Sequence, residues 1–115
     1  MPPMTSSDRG TIVLVRFVFA DETGAKQRPV LILSTKPYHA GRQEVVVAAI
    51  TSNVGRLLVG DHKIKGWRRA GLPLPSVVTG ILRTIKRDMI MGSLGPLSAS
   101  DLRAVEHNLR ASLGF

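Results

Sequence analysis

The 115-residue chain contains no cysteine, which excludes a disulfide framework and thiolate metal sites. Its three histidines, His39, His62 and His107, are scattered at spacings that are not typical of a zinc site. The sequence also lacks the P-loop, the dinucleotide-binding glycine fingerprint and the zinc-protease helix. We therefore expect a protein that works without a metal or another cofactor.

Long apolar runs are absent too. None approaches the roughly 20 residues that a transmembrane helix requires. The N-terminal segment 1–9 lacks the basic end and the apolar centre of a signal peptide, so we interpret it as a flexible tail. The remaining residues, 10–115, are enough for one domain with its own core. These observations predict a single-domain cytoplasmic protein with no membrane partner.

Acidic residues are scarce, since 8 Asp and Glu stand against 16 Lys and Arg, and the formal charge is +8. The imbalance is strongest between Lys26 and Arg87, where twelve basic residues are accompanied only by Glu44 and Asp61. Such an excess favours a polyanionic partner, either a nucleic acid or an acidic protein. The alternative is a basic surface that only keeps the protein soluble.

The pattern of apolar residues predicts a mainly β protein with a C-terminal helix. Strands are predicted over 11–19, 29–34 and 44–50, and the unbroken apolar character of the third indicates burial on both faces. Turn residues fill 21–24. Further strand candidates are 57–64, 76–78, 82–85 and 88–92, with connections at 36–41 and 66–75.

The C-terminal segment changes to a helical period. Ser98 is the expected N-cap, Asp101 stands three residues later, and Gly114 is a natural stop. Leu102, Val105, Leu109 and Leu113 would share one face of this helix, and we expect that face to join the core.

Two polar clusters follow or precede apolar runs. Lys26, Arg28 and their neighbours precede the second predicted strand, and Thr51, Ser52 and Asn53 end the third. Neighbouring strands can bring the two clusters together and set a guanidinium beside a hydroxyl. An arginine fork and an alcohol can hold a phosphate, although both residues could equally serve the local backbone.

The sequence resembles the MazF/PemK family of toxin endoribonucleases, also called mRNA interferases, from about Gly10 to Gly114. The segments that carry the resemblance are GTIVLVRF (10–17), KQRPVLILS (26–34), VVVAAITSN (45–53), AGLPLPSVV (70–78), LRTI (82–85) and GPLS (95–98). Any one of them alone is weak, but their order and spacing together are specific. The chain departs from the family at Thr11, where an acid is usual, and at 79–81, where the Arg-x-Asp pair of some members has no counterpart.

The resemblance implies an SH3-like β-barrel of the MazF/PemK/CcdB kind, with a C-terminal helix, that works as a homodimer. It also implies metal-independent cleavage of single-stranded RNA and inhibition by a small acidic antitoxin. The family's loop arginine corresponds to Arg28 and its strand-end threonine to Thr51, so these two are the expected catalytic residues. Ser52 would be a second donor to the same phosphate.

Further RNA-binding candidates are basic, polar or aromatic. Lys26 and Asn53 flank the catalytic pair, and Arg83 would contact phosphates or the antitoxin. Trp67 and Arg68 suit an unstacked RNA base, while the competing interpretation is that Trp67 closes the barrel. We therefore expect the set Lys26, Ser52, Asn53, Trp67, Arg68 and Arg83 to bind RNA.

The general base stays open between Asp21, Glu22 and His39, with an unassisted arginine and water as a further option. Two other functions compete with RNA cleavage. One is a non-catalytic toxin of the same fold that poisons a protein such as gyrase, and the other is a barrel that only binds nucleic acid.

Overall fold

The computed structural model describes residues 8–18 and 24–115, and within them the chain forms one antiparallel sheet and two helices. The strands are β1 (Thr11–Val18), β2 (Ala25–Ile32), β3 (Glu44–Thr51), β4 (His62–Lys63), β5 (Val77–Lys86) and β6 (Ile90–Pro96). The helices are α1 (Lys36–Ala40) and α2 (Ala99–Leu113), and a 3₁₀ turn spans Arg87–Met89. Most of the predicted tail, and the candidate bases Asp21 and Glu22, lie outside the described residues.

The sheet has the strand order β4-β5-β3-β2-β1-β6 and curls into a half-barrel. The helix α2 follows the last strand at the C-terminus of the chain. All neighbouring strands run antiparallel. The predicted fold class, a mainly β barrel-like domain with a C-terminal helix, is confirmed.

Several local predictions need correction. The second strand begins at Ala25 and not at Pro29, so Lys26 and Arg28 lie within β2 and not before it. The strand predicted over 88–92 begins only at Ile90, after the 3₁₀ turn. The connection 36–41 contains α1, which begins at Lys36 with a proline in its first turn. The strand predicted over 57–64 shrinks to His62–Lys63, because 57–59 are exposed and unpaired residues of a loop. The two short strands predicted at 76–78 and 82–85 are one strand, β5, that continues through an irregularity opposite Ala49.

Both faces of the central strand β3 are buried, as its apolar run predicted. Ala48 and Ile50 belong to a cluster that packs under α2 through Val105. Val45 and Val47 belong to a second cluster, which the sheet separates from the first because successive side chains of a strand point to opposite faces. Burying one such aliphatic side chain completely stabilises the folded protein by about 1.5–3 kcal/mol relative to leaving it in water.

A buried carboxylate fixes α2 to the sheet. Ser98 is the N-cap, as predicted, and accepts the N–H of Asp101 at 3.1 Å. Asp101 is only 1% exposed. One of its oxygens accepts His62 Nε2 at 2.8 Å and the Lys65 N–H at 3.0 Å. The other accepts the Gly66 N–H at 2.9 Å and the Ser98 hydroxyl at 3.0 Å.

The charged form of Asp101 is favoured in the folded protein. Burial alone would raise its pKa, but the hydrogen bonds from His62, Lys65, Gly66 and Ser98 outweigh burial and hold the pKa below the ordinary value of 3.8. A carboxyl group whose pKa falls on folding stabilises the protein above the pKa of the unfolded chain. That contribution is lost as the pH falls through the lower, folded pKa.

We predict that Asp101→Asn lowers the free energy of unfolding by about 2–3 kcal/mol, because an amide has only one acceptor oxygen for two buried backbone donors. Urea denaturation at pH 7 measures the change. The variant should also lose less stability than the wild type between pH 5 and pH 3.

The matched control is Asp88→Asn, which removes the same charge from an exposed residue and should change stability by less than about 0.5 kcal/mol. Equal stabilities of the Asp101 variant and this control would contradict the anchoring role.

Candidate functional site

A groove of about 390 Å³ opens at the end of the sheet where β2 and β3 part. Its polar walls are Lys26, Arg28, Thr51 and Arg83. Its remaining lining is apolar and consists of Phe17, Pro29, Val30, Val47, Ala49 and Ile50. The structure therefore brings the guanidinium and the hydroxyl singled out in the sequence into one groove, together with two further cations.

The register of β2 and β3 explains why Arg28 and Thr51 meet. The last pair of this ladder is Val30 with Ala49. Arg28 lies two residues before Val30, and Thr51 lies two residues after Ala49. Because side chains two residues apart share a face, both project from the same side of the sheet as that pair.

Pro29 explains why the strands part there. The Leu33 N–H donates to the Val46 carbonyl at 2.9 Å, so Leu33 faces β3. Every second residue of a strand faces the same neighbour, and Leu31 and Pro29 therefore face β3 as well. Proline has no N–H to donate. The ladder ends at this missing donor, and the groove occupies the opening beyond it.

The groove is cationic. Lys26, Arg28 and Arg83 line it, and no acidic residue does so within 8–18 and 24–115. The Arg83 guanidinium carbon lies 4.7 Å from the ring centre of Phe17, within the range of a cation–π contact. Sequence reasoning missed Phe17, although its place opposite Lys26 on the neighbouring strand is a signal for it. The aromatic ring orients one of the three charges before any ligand arrives.

Thr51 keeps its proton available for a ligand. Its Oγ1 accepts the N–H of Asn53 at 3.1 Å, so the hydroxyl hydrogen can still be donated into the groove. Asn53 uses Oδ1 to accept the Gly55 N–H at 3.3 Å. Ser52 is exposed and lines no part of this groove, and Asn53 lies in a second groove on the far side of Thr51.

Trp67 and Arg68 lie elsewhere. Trp67 is half-buried and packs against the core cluster that α2 covers. The Arg68 guanidinium carbon lies 4.9 Å from its ring centre. Neither residue lines the cationic groove. Trp67 packs against the core, as the competing interpretation expected. RNA binding by Trp67 and Arg68 stays a prediction.

His39 is also separate from the groove. It lies buried in α1, and its Nε2 is 2.6 Å from Ser34 Oγ. Ser34 Oγ accepts the Val46 N–H at 3.0 Å, which leaves its hydroxyl hydrogen for the imidazole. Burial lowers the pKa of His39 below 6.5 and the charge of Arg87 lowers it further, while Asp8 acts in the opposite direction. Through Ser34, which follows β2, this contact joins α1 to Val46 of β3.

The described part of the chain offers neither a metal site nor a membrane-crossing helix. It contains no group of three His, Asp or Glu side chains placed to hold a metal ion. Its helices are too short or too polar for any of them to cross a membrane.

The fold and the site together define the class of protein: a curled antiparallel sheet with a C-terminal helix, and a cationic groove with a hydroxyl at its rim. The chain belongs to the family of PemK-like, MazF-like toxins of type II toxin-antitoxin systems, whose sequence model matches residues 8–113. This confirms the resemblance carried by the six sequence segments.

Known relatives agree with this assignment. Endoribonuclease MazF6 of Mycobacterium tuberculosis H37Rv is 36% identical over 92 residues, which are 77% of this chain and 80% of the relative. The solved M. tuberculosis toxin MazF-mt6 superposes with a TM-score of 0.74 at 28% identity, covering 91% of this chain and 97% of that one. The MazE-MazF structure from Deinococcus radiodurans gives a TM-score of 0.77 at 21% identity over 94% and 96% of the two chains, which shows the shared fold.

The Ser34–His39 contact predicts a pH-dependent stability. Neutral His39 contributes fully above the unfolded pKa near 6.5, and its contribution is lost as the pH falls through the lower, folded pKa. The melting temperature should therefore drop from pH 7.5 to pH 5.5. His39→Gln keeps a neutral acceptor for Ser34 and should show a smaller drop.

The control for this measurement is His107→Gln, because His107 is exposed on α2. It should keep the pH dependence of the wild type. A His39 variant that melts with the same pH dependence as this control would contradict the role of His39.

Proposed function

We propose that this chain is the toxin of a type II toxin-antitoxin system and acts as an endoribonuclease that cuts single-stranded RNA in the cationic groove. Membership of the family and relatives named as endoribonucleases support this function. The observation that carries it is the convergence of Arg28 and Thr51, with two more cations, on one groove.

RNA brings its own nucleophile, so the protein has to align the 2′-hydroxyl, remove its proton and stabilise the crowded phosphorane. The 2′-oxygen attacks phosphorus and the bond to the 5′-oxygen breaks, which leaves a 2′,3′-cyclic phosphate and a 5′-hydroxyl end. Arg28 binds the non-bridging oxygens and donates to the leaving 5′-oxygen, and Thr51 donates to the same phosphate. Lys26 and Arg83 hold the flanking phosphates. The 2′-proton passes to a general base or to water as the new bond forms, and the departing 5′-oxygen takes up a proton to become the 5′-hydroxyl.

The toxin family implies an antitoxin as protein partner. We propose that this antitoxin is acidic, because the chain carries a charge of +8 and twelve of its sixteen basic residues lie between Lys26 and Arg87. The homodimer, the single-stranded RNA substrate and the cytoplasmic location belong to the same proposal.

The placement of Thr51 favours RNA cleavage over the two alternatives, which are pure nucleic-acid binding and the poisoning of a protein such as gyrase. A surface that only attracts a polyanion needs cations, but it does not need a hydroxyl with a donatable proton beside an arginine. The test of catalysis below also decides between these alternatives.

We predict that the purified protein cuts a long RNA in the presence of EDTA and leaves 5′-hydroxyl ends. Thr51→Val should lower the rate by about 10²–10³, the usual cost of losing one transition-state donor, and Arg28→Ala should abolish cutting. Denaturing electrophoresis and mapping of the RNA ends measure both effects.

The matched control is Arg103→Ala, which removes an exposed arginine of α2 far from the groove residues and should cut like the wild type. Substrate with 2′-hydrogen at the cut should stay intact. RNA that stays intact with the wild-type protein would overturn the nuclease proposal. Topoisomerase trapped on DNA in a supercoiling assay would then favour the alternative, a toxin that poisons gyrase.

We also predict that binding of an uncut 2′-deoxy oligonucleotide weakens with salt, because three cations replace counterions at phosphates. Arg83→Gln should reduce the slope of log K against log salt by about 0.7, the value for one contact to a single strand. Fluorescence anisotropy between 50 and 300 mM NaCl measures the slope. Arg103→Gln should leave it unchanged, and equal slopes for both variants would contradict a phosphate contact by Arg83.

A further inference from the structure

The end of β4 and the loop that follows it carry four cations that the cationic groove does not use. Lys63, Lys65, Arg68 and Arg69 are all exposed, and no acidic residue stands between positions 62 and 87. None of the four forms an ion pair within 8–18 and 24–115, and none lines the cationic groove. These four residues, called the loop surface below, therefore present positive charge without a counter-charge.

The backbone beneath the two lysines is anchored to the core and to α2. Ile64 is 2% exposed and lies between Lys63 and Lys65, so the two lysines project to the outside as in an extended chain. The Asp101 carboxylate of α2 accepts the N–H groups of Lys65 and Gly66 at 3.0 and 2.9 Å. The lysines are thus presented by a backbone whose position is fixed.

The two arginines lie on a tight turn that packs against β6. The Gly71 N–H donates to the Arg68 carbonyl at 3.1 Å, and Ala70 is fully buried. Gly71 has a φ of +87°, and a Cβ there would lie 2.6 Å from the Leu94 carbonyl oxygen, so the strand and the turn are in close contact. The inner side of the turn is therefore fixed, while Arg68 and Arg69 are exposed on its outer side.

The loop surface lies over a different part of the core from the groove. Ile64, Ala70 and Leu72 of this segment belong to the cluster that packs under α2. Val30 and Val47, which line the cationic groove, belong to the cluster on the other face of the sheet. A ligand in the groove therefore leaves the loop surface free for a second anion.

The surroundings of Trp67 indicate which kind of anion fits. Its ring packs against the core cluster, and the Arg68 guanidinium carbon lies 4.9 Å from the ring centre. The ring already has two partners and is not a free stacking platform for a base, which surfaces that bind single-stranded nucleic acids provide. Carboxylates need only the cations, and arginine binds them through two parallel N–H donors. The loop surface therefore suits an acidic protein segment better than a strand of RNA.

Resting on the acidic antitoxin of the proposed function, we infer that the loop surface docks an acidic segment of that antitoxin outside the cationic groove. Carboxylates of the segment pair with Lys63, Lys65, Arg68 and Arg69, while the groove holds RNA. The antitoxin can then engage a toxin molecule that already has RNA in its groove.

The first test uses a deca-glutamate peptide as the probe and the fluorescence of Trp67 as the readout, since Arg68 lies against this ring and the chain has no other tryptophan. The peptide should change the emission saturably at about 0.1 M NaCl, where a Debye length of about 10 Å limits repulsion between two bound anions. Its affinity should stay within about twofold when the groove is first saturated with the uncut 2′-deoxy oligonucleotide. The oligonucleotide alone should bind by anisotropy and leave the emission of Trp67 unchanged.

The second test is the triple variant Lys63→Gln/Lys65→Gln/Arg69→Gln, which removes three charges from the loop surface and keeps Arg68 against Trp67. All three substituted residues are exposed, so the variant should fold like the wild type. Its affinity for the peptide should fall roughly tenfold, since each exposed ion pair contributes only modestly. Its affinity for the oligonucleotide should stay within about twofold of the wild-type value.

The matched control is Lys86→Gln/Arg103→Gln/Arg110→Gln, which removes three exposed charges elsewhere and has the same net charge as the triple variant. It should bind the peptide like the wild type. Equal losses in the two variants would show only a general attraction to a basic protein and would overturn the inference.

The other outcomes separate this inference from the proposed function. No binding of the peptide by the wild type, or its displacement by the oligonucleotide, would overturn the loop surface and leave the nuclease intact. Weaker binding of the oligonucleotide by the triple variant than by the control would assign the surface to RNA, as the sequence predicted for Trp67 and Arg68, and would also overturn the inference. A wild-type protein that cuts no RNA but binds the peptide at the loop surface would refute the nuclease alone.

Discussion

The pairing of β2 with β3 ends at Val30 and Ala49, and the functional surface depends on that end. If the ladder continued, Pro29 would have to donate to Ile50, which it cannot do. The parted strands expose their polar ends side by side, so an arginine from one and a threonine from the other face a common ligand. Lys26 and Arg83 add charge to the same opening. A single backbone donor that is missing thus locates the site within the sheet.

The sheet separates stability from function by face. On one side α2 covers the cluster around Ala48 and Ile50, and the Asp101 carboxylate fixes the helix by binding two backbone donors, a serine and a histidine. On the other side Val45 and Val47 form a second cluster, and the cationic groove opens next to it. No residue of α2 lines the groove, whose apolar floor consists of core residues of the sheet such as Val30, Val47 and Ile50.

Much of the fold could be predicted from the sequence because its strands carry long β-branched runs and α2 carries clear start and stop residues. The short helix α1 and the shortened β4 were missed, since their form depends on tertiary contacts such as that of His39 with Ser34. Arg28 and Thr51 could be found because each lies at the end of an apolar run, and the two runs pair as β2 and β3. The environment of Trp67 could not, because the direction of a side chain in a glycine-rich loop is fixed only by the finished core.

Pro29 also has a consequence for how this protein can change. Its side chain lines the groove without a polar atom, yet any other amino acid at this position would supply an N–H for the Ile50 carbonyl. A hydrogen bond from residue 29 to Ile50 would extend the β2–β3 ladder by one pair beside the groove. The end of the β2–β3 ladder thus coincides with an imino ring that itself lines the groove, so this position acts on strand pairing and not on charge.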